Sequence, residues 1–399
     1  MVISEHAMLA GVVGLAPGTF HTVLIKQDGS VWSTGTSDRS ASFVKVIEGG
    51  AVAAATGDYY SIVLHQDGNA LMIGDNSRGE QSFLTGSPSS WSDFVAVHIK
   101  TGAKAVIAGG YHSIILTRAG DAWVCGWNKY AQLGDGTTSD STTFIPVMND
   151  VVKAAAAGDT HSLLLKYDGS LWAAGRNYNG QLGDGSKTDR SIFVEVMSSD
   201  AIEVAAGGDH SIVLKRDGSV WSAGSNEYGQ LGAGSIAERT HYGRVISNWA
   251  RAVAAGRGHS IMLKKDGSLW TTGYNLYGQL GVGSTNNYNA FTQAISHGAY
   301  AIAAGAFYSM VLKQDGSVWA TGSNQDGQFG DGSTVSRNKF AELSELGDGA
   351  ANQLHMHRLL PCLCQQQTRS LFSSFFFHNT RRSVFGEYGE GIRRKHEKK

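Results

Sequence analysis

Residues 205–224 read Ala205-Ala206-Gly207-Gly208-Asp209-His210-Ser211-Ile212-Val213-Leu214-Lys215-Arg216-Asp217-Gly218-Ser219-Val220-Trp221-Ser222-Ala223-Gly224. Two short alternating runs flank the dipeptide Asp-Gly, which accommodates the positive φ angle of a tight hairpin turn. We therefore interpret the stretch as a β-hairpin, and the organisation of the whole chain follows from it.

The chain contains this hairpin seven times. The turn dipeptides begin at Asp28, Asp67, Ala119, Asp168, Asp217, Asp266 and Asp315. Their spacing is 49 residues from Ala119 onward, after gaps of 39 and 52 residues. A fixed period of this length is typical of propellers, solenoids and other repeat arrays. The repeat therefore decides how the 399 residues are divided, in place of the rule that length sets the number of domains.

Each repeat contains four strand-like pieces. They are a run of small residues (204–207), an alternating run after a His (259–264), a Trp-bearing run that ends at Gly (268–273) and a run after a Gly-rich loop (193–196). Small residues suit inner strands that converge on an axis, and large ones, including the recurrent Trp, fill the space between sheets. The pattern predicts an all-β fold, a seven-bladed β-propeller of four-stranded antiparallel blades. A solenoid would expose its two ends, and no polar capping repeat is recognisable.

Three motifs recur at this period: Gly-x-x-His-Ser, Asp-Gly-x-x-Trp-x-x-Gly and Asn-x-Tyr-Gly-Gln-Leu-Gly, as in residues 207–211, 217–224 and 226–232. Together they resemble the RCC1 (regulator of chromosome condensation) repeat over residues 11–343. The resemblance implies a seven-bladed propeller, in agreement with the count. It leaves the function open, because the family includes the exchange factor for the GTPase Ran, ubiquitin-ligase modules and a plant ultraviolet receptor.

The two ends of the chain differ in pattern. We assign residues 1–349 to the propeller and residues 350–399 to an irregular C-terminal tail, which we expect to be disordered because it has no sustained period. The apolar run 7–16 lacks the basic residues of a signal peptide, and we interpret its second half as the first strand. Residues 340–343 and residues 2–4 are both candidates for the fourth strand of the last blade.

Composition excludes several classes of protein. The net charge of −1 does not point to nucleic acid or a membrane as a partner. Three Cys are too few for a disulfide framework, and the sequence has no Asn-x-Ser/Thr site. No apolar run reaches the roughly 18 residues that span a bilayer. We therefore expect a monomeric intracellular protein, cytoplasmic or nuclear, whose partner is another protein.

The recurrent histidine has a structural interpretation. It occupies one position in five repeats, with Tyr in the other two (His21, Tyr60, His112, His161, His210, His259 and Tyr308). Side chains on separate blades lie too far apart to share one metal ion at bond lengths of about 2 Å. The tail residues His355, His357, Cys362 and Cys364 match no structural zinc module. With no nucleophile–base pair or paired carboxylates either, we expect a protein that is not an enzyme and has no cofactor or metal site.

The loop between Gly and His varies from blade to blade and lies on one rim. Blades seven, one, two and three carry Phe307, Phe20, Tyr59 and Tyr111, whereas blades four, five and six carry Asp159, Asp209 and Arg257. Exposed aromatic residues beside charged groups are typical of a protein-binding patch. An alternative is that the aromatic side chains fold inward and cover the axis. The first interpretation predicts an aromatic sector and a charged sector on one face.

We therefore expect a non-enzymatic scaffold that binds a protein partner through these seven residues. The alternative function is that of a guanine-nucleotide exchange factor for a small GTPase. In the Ran exchange factor acidic residues of this loop contribute to GTPase contact, and the resemblance carries this role to Asp159 and Asp209. The wedge-like hairpin of that factor has no counterpart among these even spacings. The ultraviolet receptor has extra Trp in these loops, and the loops of this chain contain none.

Overall fold

The computed structural model describes residues 11–35, 40–74, 95–97 and 102–343. Within these ranges 28 strands form seven sheets of four, and the strands of every sheet lie side by side in chain order. Neighbouring strands pair antiparallel, as in the sheet that contains the hairpin quoted above. The predicted seven-bladed, all-β propeller is therefore confirmed. The tail 350–399 lies outside the described residues.

The strand bounds repeat from blade to blade. Blades one to three contain β1 (Val12–Pro17), β2 (His21–Lys26), β3 (Val31–Gly35), β4 (Ser40–Ile47), β5 (Ala51–Thr56), β6 (Tyr60–His65), β7 (Ala70–Gly74), β8 (Val95–Val97), β9 (Ala103–Ala108), β10 (His112–Thr117), β11 (Ala122–Gly126) and β12 (Ser141–Met148). Blades four and five contain β13 (Val152–Ala157), β14 (His161–Lys166), β15 (Leu171–Gly175), β16 (Arg190–Met197), β17 (Ala201–Ala206), β18 (His210–Lys215), β19 (Val220–Gly224) and β20 (Arg239–Ile246). Blades six and seven contain β21 (Ala250–Ala255), β22 (His259–Lys264), β23 (Leu269–Gly273), β24 (Tyr288–Ile295), β25 (Ala299–Ala304), β26 (Tyr308–Lys313), β27 (Val318–Gly322) and β28 (Arg337–Glu342).

The predicted hairpin is formed by β18 and β19, and its turn has three residues. The Lys215 amide donates to the Ser219 carbonyl at 2.9 Å, and the Gly218 amide donates to the Lys215 carbonyl at 2.9 Å. Gly218 has a φ angle of 82°. A type I turn followed by a left-handed residue gives this geometry. The positive φ angle that Asp-Gly was expected to supply therefore falls on the glycine alone.

The inner strands surround the axis with small side chains, as predicted. A narrow cavity of about 140 Å³ lies along the axis, and its wall includes Ala157, Ala206, Ala255 and Ala304. Each of these alanines directly precedes the Gly of a Gly-x-x-His loop or, for Ala304, of the equivalent loop that ends at Tyr308. The inner strand itself begins earlier than the sequence pattern suggested, because a change of register between Ala201 and Glu203 extends the pairing toward its start.

The recurrent Trp side chains are partly buried at the edge of the core. Trp221 packs against a cluster of buried residues from blades four and five. Its indole Nε1 donates to Ser219 Oγ at 2.9 Å, and Lys215 Nζ lies 4.6 Å from its ring centroid. A Lys over a Trp face is a favourable cation–π arrangement. The predicted contribution to inter-blade packing is confirmed, although one face of the ring meets a lysine.

The recurrent His connects each blade to the next. His161 Nε2 lies 2.9 Å from Ser211 Oγ, and that hydroxyl donates to the Gln181 carbonyl at 2.7 Å. Because Ser211 donates its hydroxyl proton to this carbonyl, its oxygen accepts a hydrogen bond from His161, and Nε2 of His161 is the donor. Tyr60 takes the same position and donates from its hydroxyl to the His112 carbonyl at 2.5 Å. The predicted hydrogen-bonding and packing role is confirmed, and we refer to these side chains as the His belt (His21, His112, His161, His210 and His259).

The glycine of each Gly-x-x-His loop leaves room for the His belt. A Cβ atom on Gly207 would lie 2.2 Å from His210 Cε1 and 2.5 Å from the Gly256 carbonyl oxygen. Both distances are shorter than real carbon contacts. The glycine is therefore required by close packing between two neighbouring blades.

Blade seven contacts blade one in the same way that the other blades contact each other. The Tyr308 hydroxyl lies 2.7 Å from Thr22 Oγ1, and the Gly332 amide donates to the Ala41 carbonyl at 2.9 Å. The equivalent amide of Gly185 donates to Thr240 of the following blade at 2.9 Å. The ring is thus closed. Of the two candidates for the last strand, residues 340–342 lie in β28 and Leu343 directly follows it, whereas residues 2–4 lie outside the described residues.

Candidate functional site

A cavity of about 610 Å³ opens on the face that carries the Gly-x-x-His loops. We call this cavity the cup. Its charged lining residues are Asp58, Asp159, Asp209, Glu227, Arg176 and Arg257. Its aromatic lining residues are Tyr111, Trp127, Tyr130, Tyr228, Tyr274, Tyr277 and Phe307. Loops from blades two to seven thus contribute to one concave site, which is the usual shape of a recognition site.

The structure brings five of the seven predicted partner-binding residues together. Tyr111, Asp159, Asp209, Arg257 and Phe307 all line the cup.

The other two, Phe20 and Tyr59, stack on each other instead. Their ring centroids are 4.9 Å apart and their planes are inclined by 23°. Tyr59 is 39% exposed. This pair belongs to blades one and two, which are neighbours as expected, but it does not line the cup.

The predicted separation into an aromatic and a charged sector is wrong. Tyr228 and Tyr274, on blades five and six, stand beside Asp209 and Arg257 and lie 4.8 Å apart between ring centroids. These tyrosines come from a second loop, which follows the last glycine of the third strand and was interpreted only as a repeat motif. Aromatic walls therefore stand around the central charges. The rings are partly exposed, and they line a cavity instead of covering the axis.

An ion pair crosses the base of the cup. Arg257 Nε, on blade six, donates to Asp159 Oδ2, on blade four, at 2.9 Å. The pair passes above Gly208 of blade five, where a Cβ atom would lie 3.0 Å from Arg257 Cγ and 3.3 Å from Asp159 Oδ2. A glycine at this loop position therefore allows two blades that are not adjacent to be joined by their side chains.

Burial makes the carboxylates of the cup harder to ionise. Burial raises the pKa of Asp159 to about 6, although the Arg257 charge opposes the change. Burial also raises the pKa of Asp58 and of Asp209. Asp58 and Asp209 each repel Asp159 electrostatically, since their charges raise its pKa. The cup is a region of crowded, incompletely neutralised negative charge.

Asp58 is a site residue that the sequence analysis missed. It accepts a hydrogen bond from Thr19 Oγ1 at 2.6 Å and lies in the cup, with 8% of its surface exposed. It occupies the loop position of blade two that Asp159 occupies in blade four. Aligning the two variable loop positions separately would have shown this match.

The described residues contain no cluster of three or more His, Cys, Asp or Glu side chains arranged to hold a metal ion. The tail residues His355, His357, Cys362 and Cys364 lie outside the described part of the chain. Nor do the described residues include a helix long and apolar enough to cross a membrane.

Sequence comparison identifies the repeat. The family model for the RCC1-like domain matches residues 89–366. This chain belongs to the RCC1-like domain family. The resemblance seen in the repeat motifs is thereby confirmed. No curated protein matched the sequence of this RCC1-like domain.

Solved structures share the fold of this RCC1-like domain. Human WBSCR16 is 20% identical, with a TM-score of 0.66 over 74% of this chain and 84% of that one. Prp20p from Saccharomyces cerevisiae is 17% identical, with a TM-score of 0.69 over 86% of this chain and 90% of that one. Yeast RCC1 (Prp20) bound to Kap60 is 17% identical, with a TM-score of 0.70 over 86% and 87% of the two chains. Identities this low show a common fold and leave the activity open.

Proposed function

We propose that this RCC1-like domain is a non-enzymatic scaffold that binds a protein partner at the cup. The observation that carries the proposal is the cup itself, in which aromatic side chains surround charged groups on one face. Tyr, Trp and Arg are the residues most often responsible for binding energy in protein interfaces. Three carboxylates of the lining already have partners within the fold: Asp58 accepts from Thr19, Asp159 pairs with Arg257, and Asp209 accepts from Gln181.

The scaffold around the cup supports this function. Each lining loop connects buried strands, and the His belt fixes those strands blade to blade. A site of this kind loses little freedom when a partner binds, because its loops are already ordered by the fold. A face built from several blades also suits a partner that contacts more than one loop.

Paired variants test the proposal. Tyr111→Ser combined with Tyr274→Ser removes two rings from opposite parts of the cup, and Tyr167→Ser removes a tyrosine, 59% exposed, that does not line it. Tagged wild-type protein and both variants are purified from cells with their bound proteins, which are identified by mass spectrometry. We expect a reproducible partner that the cup variant loses and the Tyr167→Ser variant keeps. A purified partner should then bind the cup variant at least about tenfold more weakly.

The result that would overturn the scaffold proposal is a partner held equally by all three proteins. Melting temperatures of the three proteins, compared at one concentration, separate lost binding from lost folding. We also propose an intracellular location, in the cytoplasm or nucleus, and a monomer. Microscopy of the tagged protein and its sedimentation in solution test these two points.

Exchange-factor activity is the second candidate. It is favoured by the position of Asp159 and Asp209, which both line the cup. One relative of the same fold, Prp20p, is described with its binding properties to Gsp1p and histones. Acidic side chains could compete for the site that holds magnesium and phosphate on a GTPase. Release of a fluorescent GDP analogue from purified small GTPases tests this role. Acceleration by the wild type that disappears when both aspartates are changed to Ala would replace the scaffold proposal.

A further inference from the structure

The described lining of the cup carries more negative than positive formal charge. Its four carboxylates face two guanidinium groups, which leaves two negative charges without a partner of opposite sign. Burial raises the pKa values of Asp58, Asp159 and Asp209, so each would be stabilised in its ionised form by an additional cation. The electrostatic match for the cup is therefore a cationic group.

Two guanidinium groups of the chain itself show how the cup accommodates such a cation. Arg257 Nε donates to Asp159 Oδ2 at 2.9 Å. The guanidinium carbon of Arg176 lies 4.8 Å from the ring centroid of Tyr130. The cup thus offers carboxylates to the hydrogen-bonding edge of a guanidinium and aromatic rings to its flat face. An arginine side chain uses both features, whereas an ammonium group lacks the planar face.

Thr160 is an independent sign of a polar ligand. It lies in the lining of the cup, directly after Asp159, and only 7% of its surface is exposed. Its Oγ1 atom has no hydrogen-bond partner among the described residues. Buried hydroxyl groups in folded proteins nearly always have a partner. The wall of the cup beside Asp159 therefore contains a polar group whose hydrogen-bonding capacity is unused among the described residues.

The loop position after Arg257 packs closely against two tyrosines of the cup. The next residue is Gly258, where a Cβ atom would lie 3.2 Å from Tyr274 Cβ and 3.5 Å from Tyr228 Cδ2. Each of the other six blades has a side chain at this loop position, including Tyr111 and Phe307. The glycine therefore lets Tyr274 and Tyr228 line the cup directly beside the Arg257–Asp159 pair.

We infer that the cup receives an arginine side chain that projects from the partner protein, with its guanidinium against Asp159 and Asp209 and its flat face against Tyr274. This inference rests on the proposed function, since it specifies the chemistry of the partner. Arg257 occupies Asp159 in the free protein and is displaced when the partner's arginine enters. Because Arg257 is 47% exposed in its side chain, it can turn outward into solvent.

Displacement makes a distinctive prediction. Arg257 competes with the partner's arginine for the carboxylate of Asp159, so the removal of Arg257 should strengthen binding. The binding-competent form of the cup is then fully populated in the free protein. If Arg257 had only a structural role, the result would be the opposite. Loss of its ion pair with Asp159 would disturb the shape of the cup and lower its affinity for the arginine side chain. The sign of the change therefore separates the two roles.

The experiment uses two synthetic peptides and the full-length protein. One peptide is acetyl-Gly-Ser-Gly-Arg-Gly-Ser-Gly-amide, and the other has citrulline in place of arginine, with the same shape and no charge. Their dissociation constants are measured by ligand-observed NMR with wild-type protein, Asp159→Asn, Arg257→Gln and the control Glu195→Gln. Glu195 is an exposed carboxylate on β16, away from the cup, so its loss matches the charge change without touching the site.

We expect the wild type to bind the arginine peptide at least about tenfold more tightly than the citrulline peptide, the usual scale for a charge-assisted hydrogen-bonded pair. Asp159→Asn should remove most of that preference, Glu195→Gln should retain it, and Arg257→Gln should lower the dissociation constant severalfold. Equal binding of the two peptides, or weaker binding by Arg257→Gln, would overturn the inference. Either result leaves the proposed function standing if the Tyr111→Ser and Tyr274→Ser protein still loses its partner. A partner insensitive to that double change would overturn the proposed function itself.

Discussion

Acidification should destabilise this propeller through the His belt. The five His side chains are fully buried, and burial lowers the pKa of His161 and His259 to about 3 and that of His21, His112 and His210 to about 4. The ordinary pKa of 6.5 applies once the chain unfolds. Below pH 6.5 the unfolded chain therefore binds more protons than the folded one. Stability that is present at pH 7 is lost as the pH falls toward 4.

The magnitude follows from these values. At pH 5 each buried His favours unfolding by about 2 kcal/mol, so five favour it by about 10 kcal/mol. Buried acids act in the opposite direction, and the largest rises are at Glu203, whose pKa burial raises to about 8, and at Asp159, whose pKa it raises to about 6. These two carboxyl groups take up protons at a higher pH in the folded state than in the unfolded state. Between pH 7 and pH 5 they therefore raise the free energy of unfolding by about 4 kcal/mol. The net loss from these seven groups is about 6 kcal/mol, which is a large share of the stability of an ordinary protein.

Urea unfolding followed by Trp fluorescence at pH 7 and pH 5 measures this loss. The matched variant replaces His161 and His210 with Tyr, the residue that the chain itself has at positions 60 and 308. The variant has two fewer titrating groups, so the loss between the two pH values should shrink by about 4 kcal/mol. The reasoning is refuted if wild-type stability is unchanged between pH 7 and pH 5, or if the variant loses as much as the wild type.

Three further predictions concern the scaffold. Gly207→Ala should lower the urea midpoint sharply, since its Cβ atom would meet His210 Cε1 at 2.2 Å; an unchanged midpoint would show that the blades can shift apart. Phe43→Ala should cost about 3–5 kcal/mol, because Phe43 is 2% exposed and packs across the junction of blades one and seven. Phe193→Ala is its control within the ring, and a far smaller loss at Phe43 would contradict a closed ring. Deletion of residues 350–399 should leave the thermal midpoint nearly unchanged, as scanning calorimetry can check, and a large drop would make the tail part of the fold.

The fold could be predicted from sequence because its information is local and repeated. The hairpin around Gly218, the His of each second strand and the small residues of each inner strand are each specified within one repeat. Because the pattern is present in seven copies, it can be recognised even where one blade departs from it, as in blade two, where Leu71 stands in place of the Trp. The extra residues at the start of β17 escaped prediction because a change of register is set by the partner strand.

The candidate site was predicted only in part because its residues meet across blades. The variable loop identified Asp159 and Arg257, but nothing within either repeat shows that their side chains meet above Gly208. Tyr274 was overlooked because it lies in a different loop from the one that varied most clearly. Its place beside the charged residues depends on how two loops of one blade fold over the same face. Local patterns identify candidate side chains, and the packing of the ring decides which of them meet.

The closure of the ring has a consequence for how such a protein can change over evolutionary time. In the described part of the chain, each blade is one uninterrupted segment, and blade seven meets blade one without exchanging a strand. New chain ends placed between β16 and β17 would therefore leave every described sheet intact. For the same reason, duplication or loss of the coding sequence for one repeat would add or remove one complete blade. Selection could also change the loops of one blade while the other blades kept their geometry.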